Sequence, residues 1–183
     1  MDEFIELLDS NGKPTGKRCL KSNAHKFGYY HATVHVWFYT KDKQLLLQKR
    51  HDSKTIFPSL WDTSVAGHIS YKELPIAAAQ REILEEIGIR IQKKELINIG
   101  TSTHKHIHNK KLIDYERHHI YICMLNHEIN NLEIQESEVA AIKLISIDAY
   151  KLELRNNPEK YVPHGDTYYD SIFNAIKHQT KKA

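Results

Sequence analysis

The feature that most constrains this chain is an amphipathic helix predicted from Leu74 to Glu86. Pro75 suits the first helical position, the three alanines that follow favour helical structure, and Gly88 is typical of the residue just after a helix. Apolar side chains recur along it at helical spacing: Ile76, Ala79, Ile83 and Ile87. One face of this helix must therefore pack against a hydrophobic core.

Three glutamates lie on another arc of the same helix. Glu82, Glu85 and Glu86 stand at positions i, i+3 and i+4, so they share one face. Like charges at this spacing repel each other and destabilise the helix, and a bound cation would compensate for that repulsion. Clustered carboxylates suit Mg²⁺ or Mn²⁺, which also bind phosphate oxygens. The helix alone leaves open both a metal site and a solvated acidic face.

The residues around the helix favour the metal site. Gly67 is followed after five residues by Glu73, and after seven more by the segment Arg81-Glu-Ile-Leu-Glu-Glu-Ile-Gly-Ile89. Every specified position of residues 67–89 matches G-x5-E-x7-R-E-U-x-E-E-x-G-U, where U is a bulky aliphatic residue, so this segment resembles the Nudix box. The resemblance implies a hydrolase that cuts a diphosphate linkage with the help of Mg²⁺, or of Mn²⁺ as an alternative.

The resemblance also implies roles for single residues of the box. Glu82, Glu85 and Glu86 would be the metal ligands and catalytic groups, with the carbonyl of Gly67 completing the shell. Arg81 would orient one of the glutamates by pairing with it. These roles predict that all five residues border one cleft.

Other acids are implied by the same resemblance. Glu73 would brace the loop before the helix. Many Nudix enzymes draw a further acid from outside the box, and our choice is Glu116, with Glu136 and Glu138 as rivals. Each of these three can also be an ordinary surface acid.

A second resemblance covers roughly residues 1 to 150. It is to the Nudix branch that contains the type I isopentenyl-diphosphate isomerases, and it rests on Lys21, Ala24-His25, His31, Arg50, Lys54 and the segment Trp61-Asp-Thr-Ser-Val-Ala-Gly-His68. By this resemblance, Lys21, Arg50 and Lys54 would bind the diphosphate of the substrate, with arginine offering a bidentate fork. Trp61 would either wall the substrate pocket or fill the core.

Histidine is unusually frequent, with 13 in the chain. In the isomerases, two N-terminal histidines and one after the glycine bind a metal, and His25, His31 and His68 match them by type. They would form a second metal site, or else serve as hydrogen-bonding groups in the core or cleft. Three more alternate along one segment and predict a polar face of a strand: His104, His106 and His108.

Two departures from the isomerases point to hydrolysis. Their catalytic cysteine aligns with Ala66, and Cys19 and Cys123 lie elsewhere in the pattern. Without that thiol, proton transfer to carbon lacks a main participant. The box carboxylates are complete here, which is unusual for the isomerases. We therefore expect hydrolysis of a nucleoside di- or triphosphate or an isoprenoid diphosphate; the alternatives are an isomerase-like enzyme and a non-catalytic Nudix domain that binds a ligand.

The rest of the pattern interleaves strands and helices. Strands are predicted near residues 3–8, 14–18, 31–39, 45–50, 63–67, 97–103, 113–124 and 140–147, and helices near 22–25, 148–154 and 167–178. This alternation favours one domain over residues 1–183. By resemblance its class is α/β (α+β), a Nudix fold with a mixed β-sheet sandwiched between α-helices.

Composition narrows the partners and the location. The net charge of +3 is spread diffusely, so we expect no nucleic-acid partner. No apolar stretch approaches the roughly 20 residues of a membrane helix, and the N-terminus does not look like a signal peptide. The two cysteines lack metal or disulfide spacing, which favours the cytoplasm. The partner that the Nudix resemblance implies is a small-molecule diphosphate substrate. Nudix relatives are often dimers, so a homodimer stays open.

Overall fold

The computed structural model describes residues 2–181, which contain nine strands and four α-helices. The strands are β1 (Phe4–Leu8), β2 (Pro14–Leu20), β3 (His31–Tyr39), β4 (Gln44–Arg50), β5 (Trp61–Asp62), β6 (Val65–His68), β7 (Ile97–Asn109), β8 (Leu112–Met124) and β9 (Val139–Ser146). The helices are α1 (Lys21–Phe27), α2 (Pro75–Ile87), α3 (Ile147–Asn156) and α4 (Asp166–Gln179). The longest described helix, α4, has 14 residues, and none of the helices in this range could cross a bilayer.

Strand β3 is the hub of the sheet. It pairs in parallel with β8 along its whole length, from His31 opposite Glu116 to Tyr39 opposite Met124. On its other side it pairs antiparallel with β6, and it also contacts β1 and β4. Beyond these, β4 pairs with β9 and β5, and β8 with β7. Parallel and antiparallel pairs therefore occur in one mixed sheet.

Two hydrophobic cores hold helices against the two faces of this sheet. Alternate side chains of β3 point to opposite faces, so Val34 and Val36 pack with Ile83 of α2. Trp37, on the other face, packs with Tyr150 of α3 and with the apolar side of α4. Complete burial of a side chain such as Ile83 contributes about 1.5–3 kcal/mol. The prediction of a mixed sheet between α-helices is confirmed.

The β7–β8 hairpin is longer than the sequence predicted. β7 was expected to end near residue 103 but continues to Asn109. Its last part is a row of alternating histidines and lysine, which have little intrinsic preference for strands. Pairing across the hairpin holds it in place, since His104 lies opposite Glu116 and His106 opposite Asp114. The three predicted alternating histidines do share one face.

The register of β3 and β8 places polar side chains side by side. On β3 the residues His31, Thr33 and His35 share a face, and Glu116 and His118 occupy the matching face of β8. All but Glu116 are buried, although they are polar. The same face becomes apolar further along both strands, where the second core begins. One end of a single sheet face is therefore reserved for polar groups.

Candidate active site

A cavity of about 880 Å³ lies between α2 and the polar end of the sheet. The loop between β4 and β5 also contributes to its wall. The residues predicted as ligands, catalytic groups or substrate contacts lie on this wall, except His31, which is fully buried behind it, Trp61 and the rival acid Glu136. The box residues and the histidine set, predicted from two separate resemblances, thus meet in one space.

Arg81 ties the loop before α2 to the acidic face of the helix. Its guanidinium donates to both carboxylate oxygens of Glu73, at 3.0 and 2.9 Å, and to the main-chain carbonyl of His68 at 2.9 Å. A further nitrogen donates to Glu82 at 2.6 Å and to Glu85 at 3.2 Å. Bidentate, charge-assisted contacts of this kind fix orientation as well as contributing energy. Glu73, Glu82 and Glu85 are therefore held in place by one arginine of α2.

Glycine is needed at the two glycine positions of the box for different physical reasons. A Cβ atom at Gly67 would overlap the carboxyl group of Glu82, so only glycine leaves that carboxylate its position beside β6. Gly88 ends α2 in the left-handed region, at φ +73°. A Cβ there would also come within 2.8 Å of the Glu133 side chain. The first glycine serves the site and the second serves the helix.

The acidic face of α2 is largely removed from solvent. Glu82 and Glu86 are buried, and burial raises the pKa of both carboxyl groups. The negative charge of Glu82 raises the pKa of Glu86 further. Glu86 accepts hydrogen bonds from the Gln48 amide at 3.1 Å and the Ala66 N–H at 3.3 Å. Two buried acids side by side lack a full countercharge, which is what a bound cation would supply.

Two cationic side chains reach the same cavity from β4 and the loop after it. Lys54 contacts the carboxylate of Glu138, and burial, followed by the charge of Arg50, lowers the pKa of its ammonium group. Arg50 donates to Asp62 at 3.2 Å and to the carbonyl of Ile56 at 3.1 Å. Guanidinium has five N–H donors, and those of Arg50 that have no partner among residues 2–181 can donate to an anion.

Two predicted substrate-binding residues lie further out. Lys21 lines the mouth of the cavity with a side chain that is 41% exposed, and its ammonium lies 3.5 Å from the Glu3 carboxylate. Trp61 lies outside the wall, with the Lys143 ammonium 4.0 Å from its ring centre. Its neighbour Asp62 faces the cavity, and successive strand residues point to opposite faces. Trp61 is partly buried and packs against the second core, as in the alternative in which it fills the core.

His25, His31, His68 and Glu116 converge from α1, β3, β6 and β8. One potential ligand atom from each lies within 4.8 Å of the others. The Nε2 atoms of His25 and His68 are 3.1 Å apart, and Glu116 Oε1 lies 3.4 Å from His31 Nε2 and 3.5 Å from His68 Nε2. Burial lowers the pKa of His68 to about 3, so its ring is neutral, the form that binds metals.

A buried ring nitrogen of His31 in this cluster has no hydrogen-bond partner among the described residues. His31 Nδ1 donates to the carbonyl of Tyr29 at 2.8 Å, so Nε2 is the nitrogen that a deprotonated ring would offer to a metal, and without a metal the hydrogen bond and charge of Glu116 outweigh burial and raise the pKa of His31. That Nε2 atom is buried and has no hydrogen-bond partner among the described residues, although a Glu116 oxygen is near. Asp114 Oδ1 is likewise unpartnered within residues 2–181, in poor geometry 2.8 Å from His25 Nδ1. Electron-rich atoms arranged in this way fit a cation between them.

The structure separates the three acids considered as an additional ligand. Glu116 belongs to the histidine cluster. Glu138 lines the cavity beside Lys54. Glu136 is exposed and lies outside the wall. Sequence reasoning had no means to distinguish them, because each sits in a different contact that forms only on folding.

Some polar groups of the cavity were not predicted as site residues. His35, His118 and His164 form a second histidine cluster, and Asp62 joins His164 at 2.7 Å. The signal for two of them was available: His35 lies four residues after His31, and His118 two after Glu116, which places each on the same strand face. His164 comes from the segment before α4 and had no such signal.

The structure also places Ala66, the residue that aligns with the catalytic cysteine of the isomerases. Ala66 lines the cavity, whereas neither Cys19 nor Cys123 is on the described wall. Cys123 is buried in the first core, and burial raises the pKa of its thiol to about 12. No cysteine within residues 2–181 therefore borders this cavity.

Comparisons with known proteins agree with this geometry. The family model described as NUDIX domain matches residues 29–165. Nudix hydrolase 3 of Arabidopsis thaliana is 33% identical over 96% of this chain, but the chain spans only 23% of that protein. An uncharacterized Nudix hydrolase of Clostridium acetobutylicum is 32% identical over 96% of this chain and 97% of its own length. Isopentenyl-diphosphate Delta-isomerase 2 of Photorhabdus laumondii is 29% identical over 98% and 95%.

Solved structures support the fold. A Deinococcus radiodurans protein matches 85% of this chain and 90% of its own with a TM-score of 0.65 at 16% identity. The MutT protein of Methanosarcina mazei Go1 matches 83% and 96%, with a TM-score of 0.61 at 15% identity. At such low sequence identity, these two matches show a shared fold and nothing more.

Proposed function

We propose that this chain, which belongs to the NUDIX domain family, hydrolyses a small diphosphate compound with a divalent cation held by Glu82, Glu85 and Glu86. As a Nudix hydrolase it acts on a pyrophosphate bond; the ion and the substrate class are the proposal. The observation that carries it is the juxtaposition in one cavity of three carboxylates, two of them buried, with the cations Lys54 and Arg50.

The donor set fits Mg²⁺, with Mn²⁺ as a substitute. Carboxylate oxygens are the ligands these hard ions prefer, and open sites leave room for phosphate oxygens. Arg81 fixes Glu82 and Gln48 fixes Glu86, so the ligands are held before any ion binds. The carbonyl of Gly67 is a further candidate ligand. When bound, such an ion polarises the diphosphate and lowers the pKa of a water molecule.

The side chains of the protein would divide the remaining work. Lys54 and the free N–H groups of Arg50 donate hydrogen bonds to phosphate oxygens and orient the diphosphate. One of the box carboxylates accepts a proton from water, whose oxygen attacks a phosphorus atom. The bond from that phosphorus to the bridging oxygen breaks, which gives a monophosphate together with phosphate or pyrophosphate. Arg81 keeps Glu82 in place throughout.

We further propose that His25, His31, His68 and Glu116 hold another divalent cation. The unpartnered His31 Nε2 atom and the 3.1 Å separation of the His25 and His68 nitrogens support this. Imidazole favours transition metals, whereas carboxylates alone favour Mg²⁺. Substitution of His31 by glutamine is expected to lower the content of tightly bound transition metal, measured by elemental mass spectrometry on the desalted protein.

The experiment for hydrolysis is a substrate panel. Phosphate release is measured with nucleoside di- and triphosphates and isoprenoid diphosphates, in parallel with Mg²⁺ and Mn²⁺. We expect turnover of at least one substrate and a loss of about 10²–10³ in kcat for Glu86→Gln. Glu136→Gln is the matched control, since it removes the same charge from an exposed position outside the cavity. No turnover on any diphosphate, or equal rates for Glu86→Gln and the wild type, would overturn the proposal.

The isomerase alternative has one observation in its favour, namely the similarity to proteins named isopentenyl-diphosphate isomerases. Against it stands Ala66, which places a methyl group where the resemblance requires a thiol. Incubation of isopentenyl diphosphate with the protein, followed by chromatography of the products, separates the two activities. We expect phosphate release without dimethylallyl diphosphate, and isomer formation by the purified protein would favour the alternative.

A further inference from the structure

A second histidine cluster borders the same cavity and has no part in the chemistry above. It consists of His35 on β3, His118 on β8 and His164 from the segment before α4. One ring nitrogen of each lies within 4.8 Å of the others. The rings of His35 and His118 stack with centres 3.9 Å apart, and His164 meets His35 edge-on at 5.1 Å.

Each of these rings is held through one nitrogen by a neighbouring polar group. His35 Nδ1 is hydrogen-bonded to the Tyr168 hydroxyl at 2.7 Å, and His118 Nδ1 to the Thr33 hydroxyl at 2.7 Å. His164 Nε2 donates to the Asp62 carboxylate at 2.7 Å. Metal-binding histidines are characteristically oriented in this way, with the second nitrogen left for the ion.

The remaining nitrogen of His118 points to a missing partner. His118 is 4% exposed, and its Nε2 atom is buried without a hydrogen-bond partner in the described chain. A buried polar atom without a hydrogen bond is destabilising, so its presence calls for an explanation. The hydrogen bonds to Tyr168 and Thr33 use Nδ1 of His35 and of His118, which leaves Nε2 of each ring to face an ion.

Negative charge is close enough to balance a dication. Asp62 contacts His164 directly, and its pKa is held well below its usual range by His164 and Arg50, which outweigh burial. Glu116 Oε2 lies 3.6 Å from His118 Nδ1. Two carboxylates therefore flank the three imidazoles.

We propose that His35, His118 and His164 form an additional site for a transition-metal ion of the Zn²⁺ class, open on one side to the cavity. Imidazole nitrogen suits Zn²⁺, Co²⁺ and Ni²⁺ far better than Mg²⁺. Three protein ligands with a fourth position left free is the arrangement of sites that also bind water or a substrate oxygen. Zn–N bonds of about 2.0–2.1 Å require the three nitrogens to lie closer together than 4.8 Å, so the rings must shift when an ion binds.

The direct test is a count of bound Co²⁺ per chain. Full-length protein is treated with chelator, desalted, and titrated with Co²⁺ in excess Mg²⁺, which occupies the oxygen-ligand site. Bound cobalt is measured by elemental mass spectrometry and by visible absorption, whose intensity is high for tetrahedral coordination. We expect His164→Gln and His118→Gln each to bind one equivalent fewer than the wild type. His106→Gln is the matched control, a histidine of the same sheet face that belongs to neither cluster.

The outcomes separate clearly. If both triad variants retain the cobalt content of the wild type, or if the wild type binds no Co²⁺, the site does not exist. Circular dichroism and thermal melting identify a variant that fails to fold, and His164, which lies outside the sheet, is the safer substitution. Hydrolysis is not the readout, so loss of this site and failure of the proposed hydrolase activity are distinguished.

A second measurement tests the positioning groups. Tyr168→Phe removes the hydroxyl that orients His35 but no ligand, and should weaken Co²⁺ binding at this site by about 10–100-fold. Tyr169→Phe is matched in chemistry, because its hydroxyl donates instead to the carbonyl of Val162 at 2.6 Å. Equal Co²⁺ affinity in these two variants would contradict the proposed role of Tyr168. A selective loss in Tyr168→Phe would support it.

Discussion

Replacement of Gly67 by alanine adds one methyl group, and the structure assigns its effect to Glu82. The backbone at Gly67 is outside the left-handed region, so alanine meets no conformational strain there. Restricting the unfolded chain would by itself stabilise the protein by about 0.4–1 kcal/mol. The new Cβ atom overlaps the Glu82 carboxyl group, however, and that side chain must rotate away.

Gly67→Ala should lower the free energy of unfolding only slightly but lower kcat strongly, so the two effects can be measured separately. Glu82 would lose the charge-assisted hydrogen bond from Arg81 at 2.6 Å, which costs roughly 1.5–3 kcal/mol. Subtracting the gain in the unfolded state leaves a net loss of about 1–2 kcal/mol, a few degrees in Tm for a chain of this length. Displacing a preorganised charged group from a catalytic site costs about 10²–10³ in kcat. The variant should therefore fold and yet be nearly inactive.

The assay is a double-mutant cycle on phosphate release. Initial rates are measured for the wild type, Gly67→Ala, Glu82→Gln and the double variant, with thermal melts of each. Because both changes act through the same carboxylate, the double variant should lie within about threefold of Glu82→Gln alone. Rates near wild type in Gly67→Ala, or losses that multiply in the double variant, would refute the reasoning.

Other expectations test single contacts. Arg81→Lys keeps the charge but loses the bidentate fork, so kcat should fall about 10²-fold, whereas full steady-state activity would mean that the fork is dispensable. Gly88→Ala should destabilise the protein by about 1–2 kcal/mol in urea unfolding because the residue sits at φ +73°, and an unchanged midpoint would contradict this. Trp61→Phe should leave KM within about twofold of the wild type, since its ring lies outside the cavity wall, and a large rise would place it at the substrate. A thiol reagent should modify Cys19 in the native protein and Cys123 only after unfolding, because burial raises the pKa of the latter thiol to about 12; rapid native labelling of both would be inconsistent with the core.

Local signals explain why α2 was predicted within one residue at each end. Its proline, its alanines, its terminal glycine and its apolar stripe all act within a few residues of each other. The strands β3 and β4 were equally well marked by composition. β7 was predicted too short because its second half is held by the partner strand rather than by its own residues. The length of β7 therefore depends on tertiary pairing with β8 and not on the strand propensity of its own residues.

For the same cause the sequence could not show the second histidine cluster, although its spacing puts His35 on the face of His31 and His118 on the face of Glu116. His35 and His118 come together only because β3 and β8 pair in parallel with one register, and their sequence positions are far apart. His164 is brought in by packing of α4 on the second core. The cavity contains residues of the box, whose spacing is fixed, and also Arg50, Lys54 and Glu116 from outside the box. The others depend on contacts that no local pattern encodes.

The shared register of β3 and β8 also limits how a chain of this design can change over time. Substitution of one residue in β3 or β8 alters one side chain, and the paired backbone keeps the other side chains in place. An insertion or deletion of one residue inside β3 is different, because it would turn His31, Thr33 and His35 toward the α2 side and bring Val34 into the cavity. Changes in chain length should therefore be confined to loops such as the one after β4, while the interior of these two strands keeps its residue count.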